Sequence, residues 1–178
     1  MSPSTASPDA LEFARAALKS QYRAALGMLK EAVDRCPEAL WDDRGHPNAF
    51  WQVAYHALFY AHMYLQPDLE SFKPWHGHQA GVQYQSGIAG PPKAGNDLPL
   101  ITKPYTKAQV REFLALCDSM VDGVDNLDLL EPRSGFPWYT CSKLEHQIIS
   151  IRHLQHHTAQ LGDRLRGAGG SGLVWLGH

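Results

Sequence analysis

SKLEHQIISIRHLQHHTAQLGDRLRG, residues 142 to 167, is the stretch from which the fold class follows. Ser142-Lys143-Leu144-Glu145 has the capping-box spacing of a helix start, and Gly167 is a helix stop. Between them Leu144, Ile148, Ile151, Leu154, Leu161 and Leu165 recur at helical spacing, which predicts one long helix with these residues on its core face. Thr106-Lys107-Ala108-Gln109 is a second capping box, ahead of Val110, Phe113, Leu114, Leu116, Cys117 and Val121.

Two more helices are expected upstream. One runs from about Pro8 to Arg35, with Ser7 as N-cap and Pro8 at the first helical position. Its stripe is Leu11, Ala14, Leu18, Tyr22, Ala25, Leu29 and Val33, and Pro37 ends it. The next starts after Pro47, with Asn48 as cap, and ends before Pro67. Phe50, Trp51, Val53, Ala54, Ala57, Leu58, Phe59, Ala61, Met63 and Leu65 surround most of its circumference, the pattern of a helix buried inside a bundle. No alternating strand pattern competes. The expectation is an all-α fold, a four-helix bundle. Its second and third helices are joined by a long crossover or lid loop, Pro67 to Pro104. A 20-residue helix is about 30 Å long, and roughly nine extended residues span that distance. The loop therefore lets those two helices run parallel. The chain reads as a single domain over residues 1–178, with 1–7 disordered and 167–178 a flexible tail whose Leu173, Val174, Trp175 and Leu176 dock on the bundle or a neighbouring subunit.

Composition narrows the function. The 178 residues carry 16 Lys and Arg against 18 Asp and Glu, a net charge of −2. That balance gives no support for a nucleic-acid groove or a polybasic membrane surface. No secretory signal opens the chain, and the apolar run from Ala49 to Leu65 is shorter than the ~20 residues of a membrane span. Cys36, Cys117 and Cys141 are an odd number at wide spacings and read as free, packed thiols. A cytoplasmic protein is expected.

Ten histidines are the unusual feature. His153 and His157, four apart, project about 40° from each other and can share a metal ion. By chance alone about 0.5 such pairs would arise, so the spacing by itself is weak. Their place at the flank of the core stripe, facing a cleft, adds weight. His56 is the best third ligand: it sits mid-helix among apolar residues, where an unpartnered imidazole loses its hydration. A core histidine satisfied by a carbonyl, or by a tyrosine such as Tyr60, is an equal alternative. His62 reads as a rim or interface residue, His156 as solvent-facing, and His76 and His78 as loop contacts. His46 and His146 have no evident partner. Three histidines would leave a metal position open, the arrangement of catalytic sites.

The run Arg152-His153-Leu154-Gln155-His156-His157-Thr158-Ala159-Gln160-Leu161 resembles the HxxxHxxQL signature of the DinB/YfiT-like superfamily. The lone histidine in Trp51-Gln52-Val53-Ala54-Tyr55-His56 and the long second connection extend the resemblance over nearly the whole chain. It implies a three-histidine divalent metal site at His56, His153 and His157, with Gln160 beside the ligands, commonly in a homodimer. Many members have Arg-Gly where this chain has Thr158-Ala159, a change that leaves the ligands intact. Activities in the family include metal-dependent hydrolysis and thiol-dependent transfer or isomerisation. The expectation is thus a metal-dependent enzyme acting on a small molecule, with zinc or nickel as the first candidates and a low-molecular-weight thiol as a candidate co-reactant. The metal would activate water or the thiol; Tyr60, one turn from His56, would lie close by. The alternative is a non-catalytic bundle that binds a small molecule or a partner, with the metal incidental or absent. The aromatics Phe72, Trp75 and Tyr84 either line a pocket or pack the loop down.

Overall fold

Ser7 Oγ accepts from the Ala10 N–H at 3.3 Å and Pro8 occupies the first turn, so α1 (Pro8–Arg35) starts where its caps place it. The computed structural model describes residues 7–85 and 103–178, so most of the N-terminal segment expected to be disordered and the middle of the expected lid lie outside the described residues. A one-turn α2 (Glu38–Trp41) follows, then α3 (Phe50–Tyr64), α4 (Lys107–Met120), a 3-10 segment (Val121–Asn126) and α5 (Lys143–Gly167). Among the described residues all regular structure is helical, and no helix is long and apolar enough to cross a membrane.

The caps of the last two helices agree with their sequence signals. Thr106 and Gln109 form the reciprocal capping box of α4, and Ser142 accepts from the Glu145 N–H to start α5. In α3 the cap position is Ala49, one residue beyond Asn48, and its side chain makes no bond. α2 has no counterpart in the sequence reading; Pro37 permits a fresh helical turn after the break it imposes.

Every residue of α3 except Tyr60 is buried, as its apolar circumference requires. α4 and α5 each pack against both α3 and α1, whereas α1 itself makes little contact with α3. The contacts fix the directions. Tyr22 meets Gln147 and Arg35 meets Gly172, so α1 and α5 run the same way. Arg164 reaches the Asn48 carbonyl while Gln147 reaches that of Tyr64, so α3 opposes α5. Lys19 pairs with Asp125 and Arg111 with Asp34, so α4 opposes α1. α3 and α4 therefore run in the same direction, the arrangement that a long connection between them allows.

The core face of α5 differs from the expected stripe. Ile148 is 47% exposed, whereas Lys143, His146, Gln147 and Ser150 are buried ahead of Leu154, Leu161 and Leu165. For Gln147 and Lys143 this polar interior at the start of α5 has partners on neighbouring segments. Tyr22 donates to the Gln147 amide, and the Lys143 ammonium donates to the carbonyls of Pro67 and Ser134. His62 is not at a rim: it is buried between the rings of Phe72 and Phe113. After α5 the chain has no regular structure and lies back along α1. Arg35 donates to the Ser171 and Gly172 carbonyls, and Leu173 and Leu176 meet Gly162 and Gly27. The side chains of Val174 and Trp175 are exposed rather than packed on this bundle, although the Val174 N–H donates to the Glu31 carboxylate.

Candidate metal centre

α3 supplies His56, and successive turns of α5 supply His153 and His157. Because α3 and α5 are antiparallel, the middle of one faces the middle of the other, and the three imidazoles meet. His153 Nε2 lies 3.1 Å from His56 Nε2 and 3.1 Å from His157 Nε2. One donor atom from each residue falls within 4.8 Å of the others.

Hydrogen bonds fix which nitrogen faces the meeting point. His56 Nδ1 lies 2.6 Å from the Gln83 carbonyl oxygen, which can only accept, so the proton is on Nδ1. His157 Nδ1 likewise donates to Gln160 Oε1 at 2.8 Å. Both leave a bare Nε2 lone pair aimed at His153, whose own Nε2 can donate to one of them at most. Burial, reinforced by the neighbouring imidazoles, pushes His56 and His153 down to about 3 and lowers His157 as well. The cluster is therefore neutral near pH 7 and presents lone pairs with no proton to share them out. A tetrahedral ion with bonds of about 2.0–2.1 Å would place its nitrogens about 3.3 Å apart, close to the spacing found. Carboxamide or carbonyl partners on the far ring nitrogen are also the usual supports of metal-bound histidine. The donor set fits a divalent transition metal.

The clamp on His56 comes from the connection that follows α3. Gln52, one turn before His56, donates to the Tyr84 carbonyl at 3.1 Å, so two consecutive backbone carbonyls are held by one face of α3. Tyr60 sits between His56 and His153, with ring centroids 4.9 and 5.3 Å away. Gln160 bridges outward: its Nε2 is 3.2 Å from His156 Nε2, so it connects a site histidine to an exposed one.

A cavity of about 490 Å³ opens over the three histidines. Tyr60, Tyr64, Tyr84, Trp138 and Tyr139 line it, together with Met63 and the amides of Gln83, Gln85 and Gln160. Trp138 Nε1 donates to the Tyr64 hydroxyl at 3.1 Å. Of the loop aromatics, only Tyr84 faces this cavity. Phe72 packs on Phe59, and Trp75 stacks on Phe113 at 4.8 Å.

His76 and His78 do not approach the cluster: His78 Nδ1 is 2.6 Å from the Tyr55 hydroxyl, and His76 pairs with Glu112. His146 is fully enclosed by Tyr64, Phe136 and Tyr139, and both its ring nitrogens are without a partner. Sequence reasoning missed Gln83, which acts through its backbone, and Trp138 and Tyr139, which lie in the irregular segment between α4 and α5. Their aromatic character was visible, but no periodicity tied them to the histidines. No protein-family model, curated protein or solved structure matches the chain.

Proposed function

We propose that this chain is a DinB/YfiT-like four-helix bundle that holds one divalent transition-metal ion at His56, His153 and His157 and acts on a small molecule in the adjoining cavity. The observation that carries the reading is the approach of His153 Nε2 to 3.1 Å from the Nε2 atoms of both His56 and His157, whose Nδ1 protons are committed to carbonyl oxygens. Three protein ligands leave a position for water or substrate, and all-nitrogen ligation suits zinc or nickel. When bound, such an ion supplies Lewis acidity, which lowers the pKa of water or of a small thiol.

The chain's own residues supply the rest. Burial keeps the imidazoles neutral, and Gln83 and Gln160 hold two of them in the ligating tautomer. Tyr60, pushed up to about 12 by burial, stays protonated near neutral pH and offers its hydroxyl beside the site. No cysteine lines the cavity, and burial pushes Cys36 up to about 12 and raises Cys117 as well. A thiol nucleophile must then come from a low-molecular-weight co-reactant. Hydrolysis and thiol-dependent transfer or isomerisation are the two reaction classes compatible with this set. The homodimer implied by the resemblance belongs to the same proposal and is checked by sedimentation equilibrium.

Elemental analysis of untagged protein beside the His56→Ala, His153→Ala, His157→Ala triple variant tests the reading. About one transition metal per chain, absent from a folded variant, is the expected result. No metal in either protein after reconstitution would overturn it and leave a binding cavity without a centre.

A further inference from the structure

The cavity over the three histidines has two unlike ends. At its floor are imidazoles and carboxamides. Its wall is a succession of aromatic rings: Tyr60 lies 5.3 Å from His153, Tyr64 lies 5.6 Å from Tyr60, and Trp138 bonds to the Tyr64 hydroxyl. Among the described residues, none of the side chains lining this volume is Asp, Glu, Lys or Arg.

We infer that the substrate of this site is an uncharged molecule with an aromatic or aliphatic body, bound with its reacting group at the histidines and its body along Tyr60, Tyr64 and Trp138. The inference rests on the metal reading above for the position of the reacting group. A carboxylate carried on the body would lose hydration beside rings that, among the described residues, offer no cationic partner. The pull of the dication would draw it to the histidine floor in place of the reacting group, not hold it along the wall. A quaternary ammonium finds ring faces there. It would, however, lie next to the dication held by three neutral imidazoles, with low-dielectric walls to carry the repulsion. A neutral body meets neither cost. Polar recognition by the described residues is limited to uncharged groups: Gln83 Oε1 and Gln85 Nε2, an acceptor and a donor, have no partner among them. The volume of about 490 Å³ is at the lower end of ordinary ligand pockets and suits a body of one or two rings.

Three phenylmethanethiols that differ only at the ring 4-position (methyl, carboxylate or trimethylammonium) test this. Binding is measured twice: by equilibrium dialysis against metal-free protein, and by the thiolate-to-metal absorption band of cobalt-loaded protein. The methyl compound is expected to bind at least tenfold tighter than the carboxylate in both measurements, and at least tenfold tighter than the trimethylammonium compound at the cobalt centre. Trp138→Ala is expected to weaken it at least fivefold, with ethanethiol, which has no ring, unchanged at the cobalt centre. Tyr84→Ala, at an exposed position, is expected to weaken it in the same way and serves should the first variant fail to fold. The carboxylate bound within threefold of the methyl compound in either measurement, or the trimethylammonium compound within threefold at the cobalt centre, overturns the inference, and so does the absence of binding by all three. If dialysis shows the preference while no thiol alters the cobalt spectrum, the metal reading fails and the substrate class stands. If all three thiols alter the spectrum equally, the substrate class fails and the metal reading stands.

Discussion

Gln147 has no exposed surface and uses its whole amide: Tyr22 donates to its Oε1 at 2.9 Å, and its Nε2 donates to the Tyr64 carbonyl at 2.9 Å. One side chain thus joins α1, α3 and α5. Tyr22→Phe leaves a buried acceptor unpaired, so urea denaturation is expected to show a loss of about 1–3 kcal/mol. Two other buried residues make the protein sensitive to acid. Burial pushes His62 and His146 down to about 4, from an unfolded value near 6.5. Between those values the unfolded chain binds more protons than the folded one, so unfolding free energy rises with pH in that window. Stability is therefore full above about pH 6.5 and is lost as pH falls toward 4. His146→Phe removes one of the two groups and keeps a ring among Tyr64, Phe136 and Tyr139. Its stability relative to the wild type is expected to be higher at pH 5 than at pH 7.5, as measured by urea midpoints of metal-free protein. Neither histidine's surroundings were legible in the sequence, because the rings that enclose them come from four separate segments.

At the scale of elements, local signals were the most legible. Ser7, Thr106 and Ser142 cap helices where their spacing says they must, since a cap is decided within four residues. The buried face of α5 was less legible. A stripe of Leu and Ile predicts burial only where it faces the core. In the first turns of α5 the buried face is instead that of Lys143, His146, Gln147 and Ser150, which meets Tyr22, carbonyl groups and the rings of Tyr64, Phe136 and Tyr139. Ile148 is left outside for that reason. The approach of His56 to His153 and His157 was legible as a pairing of helices, but the clamp on His56 was not, because a backbone carbonyl carries no sequence signature. That clamp gives a prediction at its own scale. Gln52→Leu frees the Tyr84 carbonyl while leaving all three imidazoles in place. Metal affinity is expected to fall about 10-fold, the lower end of the effect of losing a support behind a ligand, as read by competition with a chromophoric chelator.

In the whole molecule, His56 lies 97 positions from His153 in the chain and on a helix that runs opposite to the one carrying His153 and His157. An ion held by them binds the folded state alone and adds stability by mass action, about 2.7 kcal/mol when free metal is 100 times its dissociation constant. Thermal unfolding is expected to shift upward with added zinc or nickel, and His153→Ala is expected to abolish the shift. The link between α3 and the residues behind it has one more consequence. The Gln83 carbonyl that orients His56 belongs to the same backbone that borders the cavity through Tyr84 and Gln85. A molecule that lifts this segment on entry would stretch the bond to the imidazole and alter the field it exerts on a bound cobalt ion. The colour of the cobalt protein would then be a gauge of whether its doorway is open, legible without any label on the chain.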